Sequence, residues 1–212
     1  MTGLVRKAAL LSAVALFGAS AAMAGVASPG NCTVPGCIEM VGNLAGVADP
    51  GFPFTVIVRD LANTPLVGAS VVLDFSGCTD IGMCSDQLDI NATQVCGAKT
   101  TRRFTDGFGS VTFLVLGGGN AAPVTLAGGG RVYANGVLIA SPSVGAFDGD
   151  GANGVGANDL SVWLTGFGTG FPFGMLDYDC SGGVGANDLS VWLTQFGAGT
   201  SAASCAAGQT CL

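Results

Sequence analysis

Between about residues 27 and 146 apolar and polar side chains alternate with period two, the pattern of strands buried on one face. Phe54-Thr-Val-Ile-Val-Arg-Asp60 and Ala69-Ser-Val-Val-Leu-Asp-Phe75 are two such runs, separated by Leu61–Gly68, where Asn63-Thr-Pro65 signals a turn. Thr101–Thr105 and Ser110–Leu116 flank Asp106-Gly-Phe-Gly109, which predicts a hairpin. Arg131–Ala134 and Val137–Ala140 flank Asn135-Gly136, the strongest two-residue hairpin signal. Gly117–Gly119 and Gly128–Gly130 predict loops, and Gly77–Gly97, with three cysteines, predicts a disulfide-stapled excursion at one end of the sheets. Short strands separated by turns predict a β-sandwich.

After residue 147 the period changes. Leu160, Trp163, Leu164 and Phe167 fall at i, i+3, i+4 and i+7, and Leu189, Trp192, Leu193 and Phe196 repeat the spacing. Two short amphipathic helices follow, stopped by Gly168 and Gly197. Facing one another, they would bury both tryptophans in a core too small to hold without metal or disulfide staples. The helices lie in an internal repeat: Gly154–Thr165 and Gly183–Thr194 are identical letter for letter.

Each copy is preceded by an Asp-x-Asp, which gives the repeat its candidate chemistry. Hard cations such as calcium take six to eight oxygens, and a twelve-residue loop supplies them from fixed places. Those are the first, third and fifth side chains, the seventh carbonyl, often a water at the ninth, and the twelfth carboxylate. In the first loop they are Asp148, Asp150, Ala152, the Gly154 carbonyl, Gly156 and Asp159. In the second they are Asp177, Asp179, Ser181, the Gly183 carbonyl, Gly185 and Asp188. Ala152 offers no side-chain ligand, so of two calcium sites the first is expected to be weaker. Three carboxylates about 5 Å apart repel by ~3 kcal/mol per pair at an effective dielectric of 20, so folding and cation binding should be coupled.

Arg6-Lys7, an apolar run to Phe17 and Ala22-Met23-Ala24 have the order of a secretory signal peptide. Cleavage after residue 24 removes two of the seven basic residues and none of the 14 acids, leaving five against 14, or about −9. No basic stripe is available for nucleic acid, and no second apolar span is visible. The protein is expected to be secreted, extracellular or at the cell surface. Eight cysteines in an exported chain read as disulfides. Cys32 with Cys37, two of Cys78, Cys84 and Cys96, and Cys180 with Cys205 or Cys211 are the expected pairs. Five cysteines precede the repeats and three accompany them, so complete pairing needs a bridge between the regions. With Glu39 the only glutamate and no histidine, paired acid–base catalysis lacks its residues, and no enzyme is expected.

The two loops and their helices, over Phe147–Gly199, resemble the tandem type I dockerin repeat. They depart from it at Ala152, at Asn153 in place of glycine, and at Val162-Trp163-Leu164, where a basic pair is common. The resemblance implies a calcium-loaded, EF-hand-like module that docks onto a cohesin-like protein or other cell-surface partner. The contact residues it implies are Ala157 and Asn158, Ala186 and Asn187, with Ser161, Thr165, Ser190 and Thr194 on the exposed helix sides. Upstream, Val58-Arg-Asp60 to Pro65-Leu-Val-Gly68-Ala-Ser-Val71, with Thr105-Asp106-Gly-Phe-Gly109-Ser-Val-Thr-Phe113, resembles bacterial Ig-like domains of the invasin type.

The expected fold is therefore mainly β: an Ig-like β-sandwich over residues 25–146, then a small α-helical paired calcium-loop module over 147–199 and a Cys-containing tail over 200–212. The expected function is non-catalytic extracellular attachment. The alternative is a carbohydrate-binding accessory of polysaccharide catabolism, for which Phe52, Phe54, Phe108 and Tyr133 are the candidate platform residues.

Overall fold

The computed structural model describes residues 25–122, 128–152, 154–169 and 174–199, with the backbone of 210–211. The expected signal peptide lies outside the described residues, as do Asn153 and Cys205. Among them the chain is mainly β with two helices. The strands are β1 (Cys37–Val41), β2 (Asn43–Leu44), β3 (Val47–Ala48), β4 (Phe54–Ile57), β5 (Ser70–Asp74), β6 (Ile81–Cys84) and β7 (Thr93–Val95). They continue with β8 (Thr100–Phe104), β9 (Ser110–Phe113), β10 (Val115–Gly119), β11 (Arg131–Ala134), β12 (Val137–Ala140), β13 (Ser143–Ala146) and β14 (Thr210–Cys211). The helices are α1 (Ala157–Thr169) and α2 (Ala186–Ala198). No helix among the described residues is long and apolar enough to cross a membrane.

Two five-stranded sheets run β13-β1-β10-β6-β14 and β12-β11-β5-β8-β7. Strand β1 is parallel to both its neighbours, β10 and β13. The smaller pairs β2–β3 and β4–β9 complete the β part. Inward residues of both large sheets, including Ile38, Met40, Val71, Leu73 and Val132, meet in one apolar core.

The Asn135-Gly136 hairpin forms as expected, with φ of 49° and 81° at its two central residues. Both must be positive in the turn that matches strand twist, and Asn-Gly supplies them. The Asp106–Gly109 turn also closes, its Asp106 Oδ1 accepting the N–H groups of Phe108 and Ser110. The strands it joins do not form a hairpin, however. Strand β8 pairs with β5 and β7, whereas β9 pairs with β4. Thr105 steers the chain: its hydroxyl bonds the Leu66 carbonyl at 2.5 Å and accepts the Ala69 N–H at 2.8 Å.

Two expected loops are strand. Gly117–Gly119 belongs to β10, and Gly77–Gly97 contains β6, buried along its whole length between β10 and β14. The apolar alternation that betrays a strand is missing here because there is no room for it. A Cβ on Gly117 would lie 2.7 Å from the Gly82 carbonyl oxygen and press into Met40 Sδ. The backbones approach so closely that only glycine fits.

Cys37 pairs with Cys180, which overturns both the Cys32–Cys37 pair and the pairing of Cys180 with Cys205 or Cys211. The bridge joins the sheet region to the repeats with Cα atoms 5.9 Å apart. Cys32 is free, and Cys84 and Cys96 are both disulfide-bonded. The tryptophans do not build a miniature core of their own either. Trp163 and Trp192 join the sheet core, where Trp192 Nε1 donates to the Phe147 carbonyl at 3.1 Å. Phe147 stacks on Tyr178 and packs against Phe52, with centroids 4.8 and 4.7 Å apart.

Gly117→Ala is expected to cost ~1–3 kcal/mol through overpacking against backbone that cannot yield. Gly107→Ala, with open space at its Cβ, is the control. Denaturant midpoints that shift equally for the two variants would contradict the packing account.

Candidate metal centre

The repeats fold into two loops with the same internal wiring. In the first, Asp159 Oδ1 accepts the Asp150 N–H at 3.0 Å and Asp159 Oδ2 accepts that of Gly156 at 2.6 Å. In the second, Asp188 does the same for Asp179 and Gly185, at 3.0 and 2.7 Å. Ala152 N–H bonds Asp148 and Asp150, and Ser181 N–H bonds Asp177 and Asp179. Each twelfth-place carboxylate thus closes its loop and caps the first turn of its helix, where the dipole also favours negative charge.

This pairing gathers Asp148, Asp150 and Asp159 into one triad and Asp177, Asp179 and Asp188 into another, each with a ligand oxygen from every member within 4.8 Å of the others. Four of the six are buried, with Asp188 at 0% exposure. No Lys or Arg follows Arg131 in the chain, and both ion pairs among the described residues lie in the sheet region. The other expected ligands lie in the same two loops. Ser181 Oγ lies 3.4 Å from the Gly183 carbonyl oxygen, and Gly154 is buried with φ of 74°. The donor set is all oxygen, which suits a hard cation.

The carboxyl groups respond to this crowding. Burial pushes Asp159 up to about 6, against the pull of the N–H donors from Asp150 and Gly156. Burial also raises Asp177. The exposed Asp179 is lowered, chiefly by hydrogen bonds from Ser181, and Asn187 also bonds its carboxylate.

The helices are rotated from the expected stripe. In α1 the buried residues are Asp159, Val162, Trp163 and Gly166, while Leu164 and Phe167 stand half exposed. In α2 they are Asp188, Trp192 and Gln195, while Leu193 and Phe196 stand half exposed. The carboxylate in the first turn must face its own loop, and that requirement sets the rotation of the helix behind it. Gly168 and Gly197 do not end the helices; Gly199, at φ of 64°, caps α2. All eight residues of the expected docking surface, Ala157, Asn158, Ser161, Thr165, Ala186, Asn187, Ser190 and Thr194, are exposed.

Three residues were not assigned to this region from the sequence. Glu39 on β1 is buried with neither carboxylate oxygen hydrogen-bonded. Burial first, then Asp177 and Asp188, hold its carboxyl well above the usual range. Its signal was available: a lone glutamate inside Cys37-Ile-Glu-Met-Val41. Tyr178 is buried and donates to the Ala146 carbonyl at 3.1 Å. Gln195 replaces Gly166 of the first copy and brings its amide to the Asp49–Gly51 turn. It docks α2 onto the β part in a way that α1 has no side chain to copy.

Comparison with known protein families, curated proteins and solved structures finds no match to this chain.

Because Asp159 titrates near 6 when folded and ~3.9 when unfolded, the metal-free fold binds more protons than the unfolded chain between those values. Its stabilisation by protonation is complete below the unfolded value and is lost as pH rises through the folded one. With chelator present, the melting temperature should fall from about pH 4 to about pH 6.5, and excess calcium should remove or reverse that fall. A chelated protein whose melting temperature rises over this interval contradicts the assignment.

Proposed function

We propose that this is a secreted, non-catalytic calcium-binding protein that uses its paired loops and helices to attach to an extracellular partner. One observation carries the reading: two carboxylate triads closed by the same backbone hydrogen bonds, largely buried, in a segment with no basic side chain to balance them. Leaving such charge uncompensated is costly, and a divalent cation is the compensation that an all-oxygen donor set selects. Asp148, Asp150, Asp159 and the Gly154 carbonyl would hold the first ion. Asp177, Asp179, Ser181, Asp188 and the Gly183 carbonyl would hold the second, more tightly because of its extra hydroxyl.

The attachment role rests on the dockerin-like pattern together with the surface the helices leave open. That surface is uncharged and repeated: Ser161, Leu164, Thr165 and Phe167 on α1, and Ser190, Leu193, Thr194 and Phe196 on α2. A cohesin-like protein is the partner this surface suits. In this reading the β part is the Ig-like spacer or cargo, and the chain is extracellular.

A carbohydrate-binding role for the β part is the second reading. Of its candidates, Phe54 is core and Phe52 packs on Phe147, while Phe108 stands exposed at a turn tip. The observation favouring it lies instead on the second sheet. There Phe104 is 57% exposed beneath the Arg102 guanidinium, 5.2 Å from its ring centroid. Arg102, Val72, Tyr133 and Leu138 follow one another across the strands in register.

Calorimetric titration of the whole chain should give two calcium sites, with Asp177→Ala removing the tighter and Asp148→Ala the weaker. Calcium at a hundredfold its Kd should stabilise the fold by ~2.7 kcal/mol per site. Absence of both binding and thermal stabilisation would sink the proposal. On a panel of cohesin modules, Ala157→Trp or Ala186→Trp alone should leave binding intact and the double change should abolish it. On a glycan array, Phe104→Ala with Tyr133→Ala should lose any signal the wild type gives; a signal that survives refutes the sheet-face assignment.

A further inference from the structure

The two loops reach the sheets by different means. The first is anchored through its main chain: Gly119 donates to the Asp148 carbonyl at 2.6 Å and Ala121 to that of Gly149 at 2.9 Å. Among the described residues no backbone hydrogen bond joins Asp177–Gly185 to a sheet. The second loop is held by the Tyr178 hydroxyl and, covalently, by Cys180 bonded to Cys37 at the head of β1.

The fourth place of each loop makes the contrast sharper. Gly151 holds φ of 69° and Cys180 φ of 56°, so the same left-handed backbone is needed in both. Glycine adopts it freely and cysteine adopts it at a cost. Strain of this kind persists only where the surroundings over-determine it. Here the bond to Cys37 does so. The first loop could not carry such a bridge, since a side chain on Gly151 would run into the Gly119 carbonyl. Both bridge cysteines are only half-buried.

We propose that the Cys37–Cys180 bridge makes the second loop a thiol-regulated cation site: closed, it holds the loop in its binding conformation, and opened, it lowers affinity there alone. This rests on the calcium reading above. Opening requires a dithiol, whose two electrons and two protons convert the bridge into Cys37 and Cys180 thiols while it becomes a disulfide itself. A loop that occupies its binding conformation only a tenth of the time binds ~10-fold more weakly.

The test uses the full chain and the variant Cys37→Ser/Cys180→Gly, which removes this bridge alone and gives the second loop the first loop's glycine. Calcium titration should give a second-site Kd raised ~10-fold, with the first-site Kd unchanged. Without calcium, amide exchange should speed up over 177–185 and stay the same over 148–152. Wild-type protein treated with a dithiol should match the variant at the second site. An unchanged or tighter second site overturns the proposal, since relief of strain would then outweigh the tether. Equal loss at both sites also overturns it, because the bridge would then serve the whole fold. Wild type that binds no calcium overturns the underlying metal reading and this one with it; unaltered binding by the variant overturns this one only.

Discussion

The carboxylate in the first turn of each helix is the constraint on which the segment 147–199 depends. Asp159 and Asp188 each accept two backbone N–H groups from their own loop. One side chain therefore closes a loop, caps a helix and completes an anionic triad. Because that side chain must face inward, the helix behind it has no freedom of rotation. Trp163 and Trp192 turn into the core, and Leu164, Phe167, Leu193 and Phe196 are left half in solvent. The apolar surface left half in solvent is thus a by-product of where the anionic cluster must point.

The β part supplies what so small a pair of helices lacks. Phe147, Tyr178 and Trp192 extend the sheet core under the loops, and the Cys37–Cys180 bridge binds the second loop to the first long strand. Burial on this scale also explains the raised carboxyl groups at Asp159, Asp177 and Glu39. Burial disfavours their charged forms, and the local hydrogen bonds offset it only in part. Six of the 14 acids lie between Asp148 and Asp188, while all five basic residues after the expected signal peptide lie at or before Arg131. That separation is the ground on which we propose an external cation as the counter-charge for the loops.

The repeats are near-copies in sequence and unequal in setting. Gln195 in place of Gly166 and Cys180 in place of Gly151 are small changes, yet both tie the second copy to the β part. Ala152 in place of Ser181 removes an oxygen from the first. Identity is concentrated where both copies share a surface, and divergence where each meets a different neighbour.

Period and spacing alone determined the strands around residues 54–75 and 101–113, the Asn135-Gly136 hairpin, the two helices and the membership of both triads. These are local properties: side-chain alternation, turn chemistry and the reach of a twelve-residue loop fix them without reference to the rest of the chain. Tertiary structure decided which strands pair, that Gly117–Gly119 and Ile81–Cys84 lie side by side in a sheet, which cysteine meets Cys180, and how far each helix is rotated. Each of these depends on residues far apart in sequence. Glycines that admit a neighbouring backbone leave no apolar pattern to read, and a cysteine's spacing does not name its partner. A helix's hydrophobic stripe does not anticipate that a buried carboxylate will set its angle.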